Sequence, residues 1–339
     1  MNGSRFLKAI VMATVVFPII GGSAASGQGG KKPVIPPPVD MVLKTNDGVN
    51  LHCTYFEPVD LNPKPEKTDQ QDQPEGEEWG KTVIPWILVH DWDGRRQDLF
   101  AFAEELQKRG SNAVIVPDLR GHGGSTVADG QPDVLDRNKF RRQELLGMIN
   151  DIERCKKFLV QENNAGKLNI DLLNILAIGE SASITMAWVI KDWYAFPPYA
   201  GSIKQAQDVK TVTLVSPKRK FSSLNINAEL RHPMFSGRDP RIPNIPTLIA
   251  WADLDEISQK DGSYILDTMQ KGRPDVSRIA DDELRRELTT LYSVPLNLNA
   301  SGTELMRTNL GLRETIVRFV AAKVGAKRGN HPWQNRARN

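Results

Sequence analysis

The stretch Ile178-Gly179-Glu180-Ser181-Ala182-Ser183 decides how this chain reads. Before it, Ile170 to Ile178 is a long apolar run rich in Ile and Leu, as expected of a buried parallel strand. After it, Ile184, Met186, Ala187, Trp188 and Ile190 suit a helix. A serine on such a strand-to-helix turn has its hydroxyl pushed out at the top of the sheet, beside the free backbone N–H groups of the helix start. This is the geometry of a nucleophile elbow. The usual pattern is G-x-S-x-G; Ser183 replaces the last glycine and is still small.

Working outward, strands and helices alternate. Val83 to Val89 and Ala113 to Val116 read as buried strands, and Val209 to Val215 and Pro246 to Trp251 as two more. Gln97 to Arg109 is a helix with Leu99, Phe102, Ala103 and Leu106 on one face, and a longer helix runs from about Arg141 to Gln161. Ser263 to Gln270 is helical, Leu288 to Tyr292 is a last strand, and Leu312, Ile316, Phe319 and Val320 define a final helix. Earlier in the chain, Asn46-Asp47-Gly48 marks a hairpin between Met41–Thr45 and Val49–Phe56. Such alternation implies an α/β fold: a mostly parallel central sheet with helices on both faces. The segment from Trp193 to Gln207 is irregular and reads as a small lid or an ordinary surface loop.

The chain has 339 residues, a net charge of +3, and hydrophobic and charged contents of 40% and 25%. These values fit a soluble globular protein and give no argument for a nucleic-acid partner. Arg5 and Lys8 precede an apolar core, Ala9 to Ile20, followed by Gly21 to Ser26; cleavage after Ala25 satisfies the small-x-small rule. The expectation is a signal peptide over 1–25, a flexible Gly- and Pro-rich linker over 26–39, one domain over 40–325 and a basic, solvated tail over 326–339. That implies export (periplasmic, extracytoplasmic or secreted) with no stable membrane span after cleavage. Residues 58–81 form an acidic surface loop. The two cysteines, Cys53 and Cys155, lie far apart in sequence, and Cys155 falls on an apolar helix face as an inert thiol.

Four motifs in order resemble the α/β-hydrolase superfamily, closest to its dienelactone-hydrolase and serine-aminopeptidase-like branches, over roughly residues 41 to 325. They are His90-Asp91-Trp92-Asp93-Gly94 after a buried strand, the loop Asp118-Leu119-Arg120-Gly121-His122-Gly123-Gly124-Ser125, the elbow, and Pro246 to Ile257. The resemblance implies Ser181 as nucleophile and the backbone of Ala182 and Trp92 as oxyanion donors. Asp255 is then the orienting acid, with Asp253 second; turn and helix-cap chemistry is the plainer role for both. Asp91, where the family commonly has glycine, puts an extra carboxylate beside the oxyanion loop.

The base is missing from its place. The family's histidine follows the last strand; the matching stretch here is Asn299-Ala300-Ser301-Gly302-Thr303, with Ser301 at the histidine position. Of the five histidines, His52 reads as a strand residue, and His90 and His122 as parts of the site loops. His232, in the segment between two late strands, can approach the site as a substitute base, whereas His331 serves only if the tail folds back over its mouth. His90, Asp91 and Asp93 are metal-capable but lack a second ligand cluster, and Gly121–Gly124 lacks a nucleotide-loop pattern, so neither metal nor cofactor is expected. The sequence therefore leads to a weak or non-catalytic member of the fold that retains a pocket for a small-molecule or acyl ligand. The alternative is an active serine hydrolase on ester or other acyl bonds with a substitute base.

Overall fold

The computed structural model describes residues 33–62, 79–130, 134–195, 199–239 and 241–337. The expected signal peptide lies outside them, as do half of the linker and most of the acidic loop. One eight-stranded sheet organises the rest: β1 (Val39–Lys44), β2 (Asn50–Phe56), β3 (Ile84–Val89), β4 (Asn112–Pro117), β5 (Leu173–Ile178), β6 (Val209–Val215), β7 (Thr247–Ala252) and β8 (Leu291–Leu296). Their spatial order is β1-β2-β4-β3-β5-β6-β7-β8. β1 and β2 run antiparallel to their neighbours, and every pairing from β4 to β8 is parallel.

The parallel strands need crossovers, and helices supply them on both faces. One face carries α2 (Ile149–Asn164), α3 (Ser181–Trp193) and α4 (Glu256–Gln270), packed through Ile152, Leu159, Met186, Ile265 and Met269. The other carries α1 (Phe100–Lys108), α5 (Gly302–Thr308) and α6 (Leu310–Lys323), packed through Phe102, Leu106, Leu305, Ile316 and Phe319. β3, β5 and β7 have no exposed residue, which explains their largely apolar sequences; Asn174 in β5 is buried with its amide hydrogen-bonded. Pro295 is tolerated in β8 because that strand lies at the sheet's edge. The β1–β2 turn forms at Asn46-Asp47-Gly48, with Gly48 at φ +87°. The Cys53 and Cys155 thiols are both buried in the same core cluster and unbridged.

Several boundaries shift from the sequence reading. Ile170–Leu172 is a 3₁₀ turn, so β5 starts only at Leu173. The long helix is broken at Met148, and the last strand lies three residues later than periodicity placed it. The described parts of the segment after Trp193 follow the far end of α3 and lead into the start of β6, at the amino ends of the strands, away from Ser181; residues 196–198 lie outside the described residues. The expected solvated tail also docks at those amino ends. Arg336 is 5% exposed and pairs with Asp208 at 2.8 Å, while Trp333 Nε1 donates to Asn163 O. Asp208 and Asp192 both face the buried Lys156 ammonium, so Arg336 supplies the cation that balances two carboxylates against one amine.

Candidate functional site

The site forms at the carboxyl ends of β3, β5 and β7, where the strands hand over to helices and loops. β5 ends at Ile178, Gly179 turns the chain at φ +59°, and Ser181 is the first residue of α3. An elbow presents its nucleophile from the strained apex of the turn. The apex here is Gly179, which has no side chain. Ser181 lies two residues beyond it, 3% exposed, and its hydroxyl donates to the backbone carbonyl of His90. The Ala182 N–H points back to Gly179 O at 3.4 Å.

Asp91 fills the space in front of the apex. Its Oδ1 accepts the Trp92 backbone N–H at 2.8 Å, the donor expected for an oxyanion. A Cβ on Gly179 would overlap this carboxylate, and so would one on Gly302, the first residue of α5 at φ +54°. Asp91 thus bridges the elbow and the loop after the last strand. Beside it sits Glu180. Burial first, and then the hydrogen bond and negative charge of Asp91, push the Glu180 carboxyl up to about 8. Glu180 therefore holds its proton at neutral pH and is a hydrogen-bond donor.

Among the described residues no hydrogen bond joins Asp255, Asp253 or Ser301 to Ser181. Asp255 caps α4, its Oδ1 accepting the Ser258 N–H at 2.6 Å, and Asp253 accepts Trp251 Nε1 at 2.7 Å. Ser301 is the residue before α5, extended at φ −139°, with no capping hydrogen bond. His331 lies against Asp171, which precedes β5, a full strand away from the elbow. His232 packs edge-on against Tyr194, just past the far end of α3, and that 13-residue helix is about 20 Å long. His52 lies in β2, its ring beside Gly124.

The sequence matches no known family model and no curated protein. Solved structures do resemble it. An α/β hydrolase from Penicillium sp. sh18 covers 86% of this chain and 100% of its own, with a TM-score of 0.52 at 12% identity. Thermogutta terrifontis esterase 2 phosphorylated by paraoxon covers 87% and 97%, with a TM-score of 0.51 at 13% identity. One of two fungal esterases from Rhizomucor miehei gives 0.50 at 14% identity, with 87% and 86% covered. The chain has the α/β-hydrolase fold. At these identities the likeness concerns the fold, and the chemistry has to be read from the residues.

Within this α/β-hydrolase fold, two imidazoles hold the loops around Asp91. His90 is wholly buried; its Nε2 accepts the Leu119 N–H at 3.0 Å and its Nδ1 faces Asp91 O at 2.6 Å. Burial, with help from the neighbouring His122, brings His90 down to about 4. His122 bridges Arg120 O and Trp92 O. The loop they serve is locked by buried ion pairs, Arg96 on Asp118 and Arg120 on both Asp151 and Asp47. With Ser125 Oγ donating to Asp118 O at 2.7 Å, these contacts account for the Asp, Arg and Ser of the D-x-R-G-x-G-x-S pattern as scaffolding.

A cavity of about 350 Å³ opens beside the α/β-hydrolase elbow, lined by Trp92, Phe140, Phe221, Glu180, Arg137 and Lys220 among others. Trp92 stacks edge-on with Phe221 at 4.5 Å, and the Arg137 guanidinium lies over its ring at 5.6 Å. Sequence reasoning missed Glu180, although it stands inside the decisive stretch. Its signal was an acid between two small residues, Gly179 and Ser181, two positions past the end of a fully buried strand. Among the described residues, no group of three His, Cys, Asp or Glu side chains is arranged to hold a metal ion.

Proposed function

We propose that this chain is a binding member of the α/β-hydrolase fold without serine-hydrolase turnover, descended from an acyl hydrolase of the dienelactone-hydrolase and serine-aminopeptidase-like kind. The observation that carries the reading is the Asp91 carboxylate on the Trp92 N–H. An oxyanion needs that donor free and a positive field around it; a carboxylate already there supplies repulsion instead. Two further facts support it. The Ser181 hydroxyl gives its proton to a backbone carbonyl, which cannot take it away. Among the described residues no imidazole is hydrogen-bonded to the Ser181 hydroxyl, which meets His90 O instead, and loss of the triad base typically removes roughly six orders of magnitude in turnover. In this reading Ser301 stands in place of the lost histidine, beside the Gly302 that borders Asp91. Among the described residues no helix is long and apolar enough to cross a membrane. We place the protein outside the cytoplasm on the strength of residues 1–25 alone.

The test is labelling of the purified protein with a fluorophosphonate probe, alongside hydrolysis of p-nitrophenyl acetate from pH 5 to 9. The expected result is no labelling and no turnover above buffer, unchanged in Ser181→Ala. Labelling or turnover that disappears in Ser181→Ala overturns the proposal and restores the active serine hydrolase.

A further inference from the structure

Cys53 and Cys155 are the only cysteines of the chain, and the fold brings them together. Cys53 shares a face of β2 with Leu51 and Tyr55, and Cys155 shares a face of α2 with Ile152 and Leu159; all six are buried in one core cluster. Two contacts bracket the pair. On one side the Tyr55 ring, two residues on from Cys53, meets the Phe158 ring, three on from Cys155, edge to face at 4.9 Å. On the other side Asp151, one helical turn before Cys155, accepts the Arg120 backbone N–H at 2.9 Å and its guanidinium at 2.8 Å. Arg120 lies three residues past Pro117, the register partner of Cys53. The turn of α2 that carries Cys155 is therefore pinned over β2, with the thiols between the two anchors. The Cys53 thiol has Cys155 as a side-chain hydrogen-bond partner, and Leu51 O lies 3.8 Å away. Two thiols alone are too few to hold a metal ion, and among the described residues no third His, Cys, Asp or Glu completes a set.

We propose that Cys53 and Cys155 are a cross-linking pair, which a protein or small-molecule disulfide oxidises to an internal bond between β2 and α2. The chemistry is exchange. One cysteine, as its thiolate, attacks a sulfur of the oxidant and expels the other sulfur as a thiolate. The second cysteine then attacks the mixed disulfide and expels the oxidant's remaining sulfur. Two thiol protons leave, and the oxidant's disulfide takes up two electrons. Neither cysteine is exposed, and burial pushes the Cys53 thiol well above its usual range, so the finished fold offers no accessible thiolate there. Exchange therefore comes before α2 closes on β2, and the completed bond is sealed from reductants. The loop it closes spans about 100 residues and contains β3, α1 and β4, so the bond removes many unfolded conformations. The inference does not depend on how Ser181 or residues 1–25 are read.

The test compares the full chain made in an ordinary reducing bacterial cytoplasm with the same chain made in one that lacks its thioredoxin and glutathione reductases. Thiols are counted with a maleimide after unfolding in urea, and the intact mass is measured. The chain from the oxidising host is expected to take no label, to be two hydrogens lighter and to run as a monomer without reductant. The chain from the reducing host should take two labels. Cys53→Ala and Cys155→Ala should each take one label from the reducing host, and neither should lose the two hydrogens in the oxidising one. The oxidised chain should have a urea midpoint about 0.5–1 M above that of the reduced chain. Dithiothreitol should cleave the bond only once urea opens the fold. Two free thiols in the chain from the oxidising host, a bond between two copies, or soluble protein from the reducing host alone overturns the inference. So does a lower urea midpoint for the oxidised chain, or ready reduction without urea.

Discussion

The carboxylate of Asp91 occupies the space that any side chain on Gly179 would need. Two positions 88 residues apart are therefore coupled, and the coupling is measurable. Gly179→Ser meets both the carboxylate and a left-handed backbone at φ +59°, and should cost about 2–4 kcal/mol. In an Asp91→Gly background only the backbone strain remains, so the second cost should shrink by about 1–3 kcal/mol. Urea denaturation of the four proteins of this cycle checks it. Additive costs would show that Asp91 moves aside freely.

Glu180 sets a slope of stability with pH. Its native value of about 8 lies above the ordinary 4.5, so between these values the native state keeps a proton that the unfolded chain has lost. Stability contributed by this group is therefore full below about pH 4.5 and falls as pH rises towards 8. Because the side chain is partly open to solvent, the total is about 1–3 kcal/mol rather than the full conversion of the shift. Glu180→Gln should raise the melting temperature at pH 8.5 and leave it nearly unchanged at pH 5.

His90 acts at the acid end. Its native value of about 4 lies below 6.5, so the unfolded chain takes up a proton that the native ring refuses. The reason is burial of the ring, with His122 beside it; in addition a proton on Nε2 would face the Leu119 N–H, donor against donor. Stability should fall as pH drops from 6.5 to 4, by at most about 3 kcal/mol from this residue. An NMR titration of the imidazole is the direct check, with no protonation expected above pH 5.

The buried charges at the other end of the sheet give a fourth expectation. Burial alone would lower the Lys156 ammonium, but Asp208 and Asp192 more than offset this and hold it above the usual lysine range. Lys156→Met leaves two buried carboxylates short of a partner and should cost about 3–5 kcal/mol. Arg336→Met should cost less, since Lys156 at 2.8 Å and Lys204 at 3.8 Å still face Asp208. Chemical denaturation at pH 7 measures both, and the difference should narrow at pH 3 as the carboxylates protonate.

The fold was legible because its parallel strands are buried on both faces and so are written as largely apolar runs, of which β3, β5 and β7 are the clearest. Strand ends were less legible: Ile170 and Leu172 continue the apolar run but flank Asp171 in a 3₁₀ turn under the Asn169 cap. At the site, Ser181 read as a nucleophile because sequence spacing shows that a serine follows the strand, not which residue takes the left-handed backbone. With two small residues in Gly179-Glu180-Ser181, either could serve as apex, and glycine adopts that conformation at no steric cost. The inward turn of Asp91 was foreseen only as a hazard. It depends on contacts with Gly179 and Gly302, which come together only in three dimensions. The tail misled for a related reason: a run of cations looks solvated until a buried Asp208 is found 128 positions earlier.

Arg336 is made after everything it stabilises. While a ribosome is still adding residues, the Lys156 cluster carries one more negative charge than positive among its closest partners, and the groove beside Asn163 and Asn169 has nothing to fill it. A chain trimmed by a protease before Arg336 would therefore keep its sheet but lose the clasp at the amino ends of the central strands, leaving Asp208 and Asp192 to share Lys156.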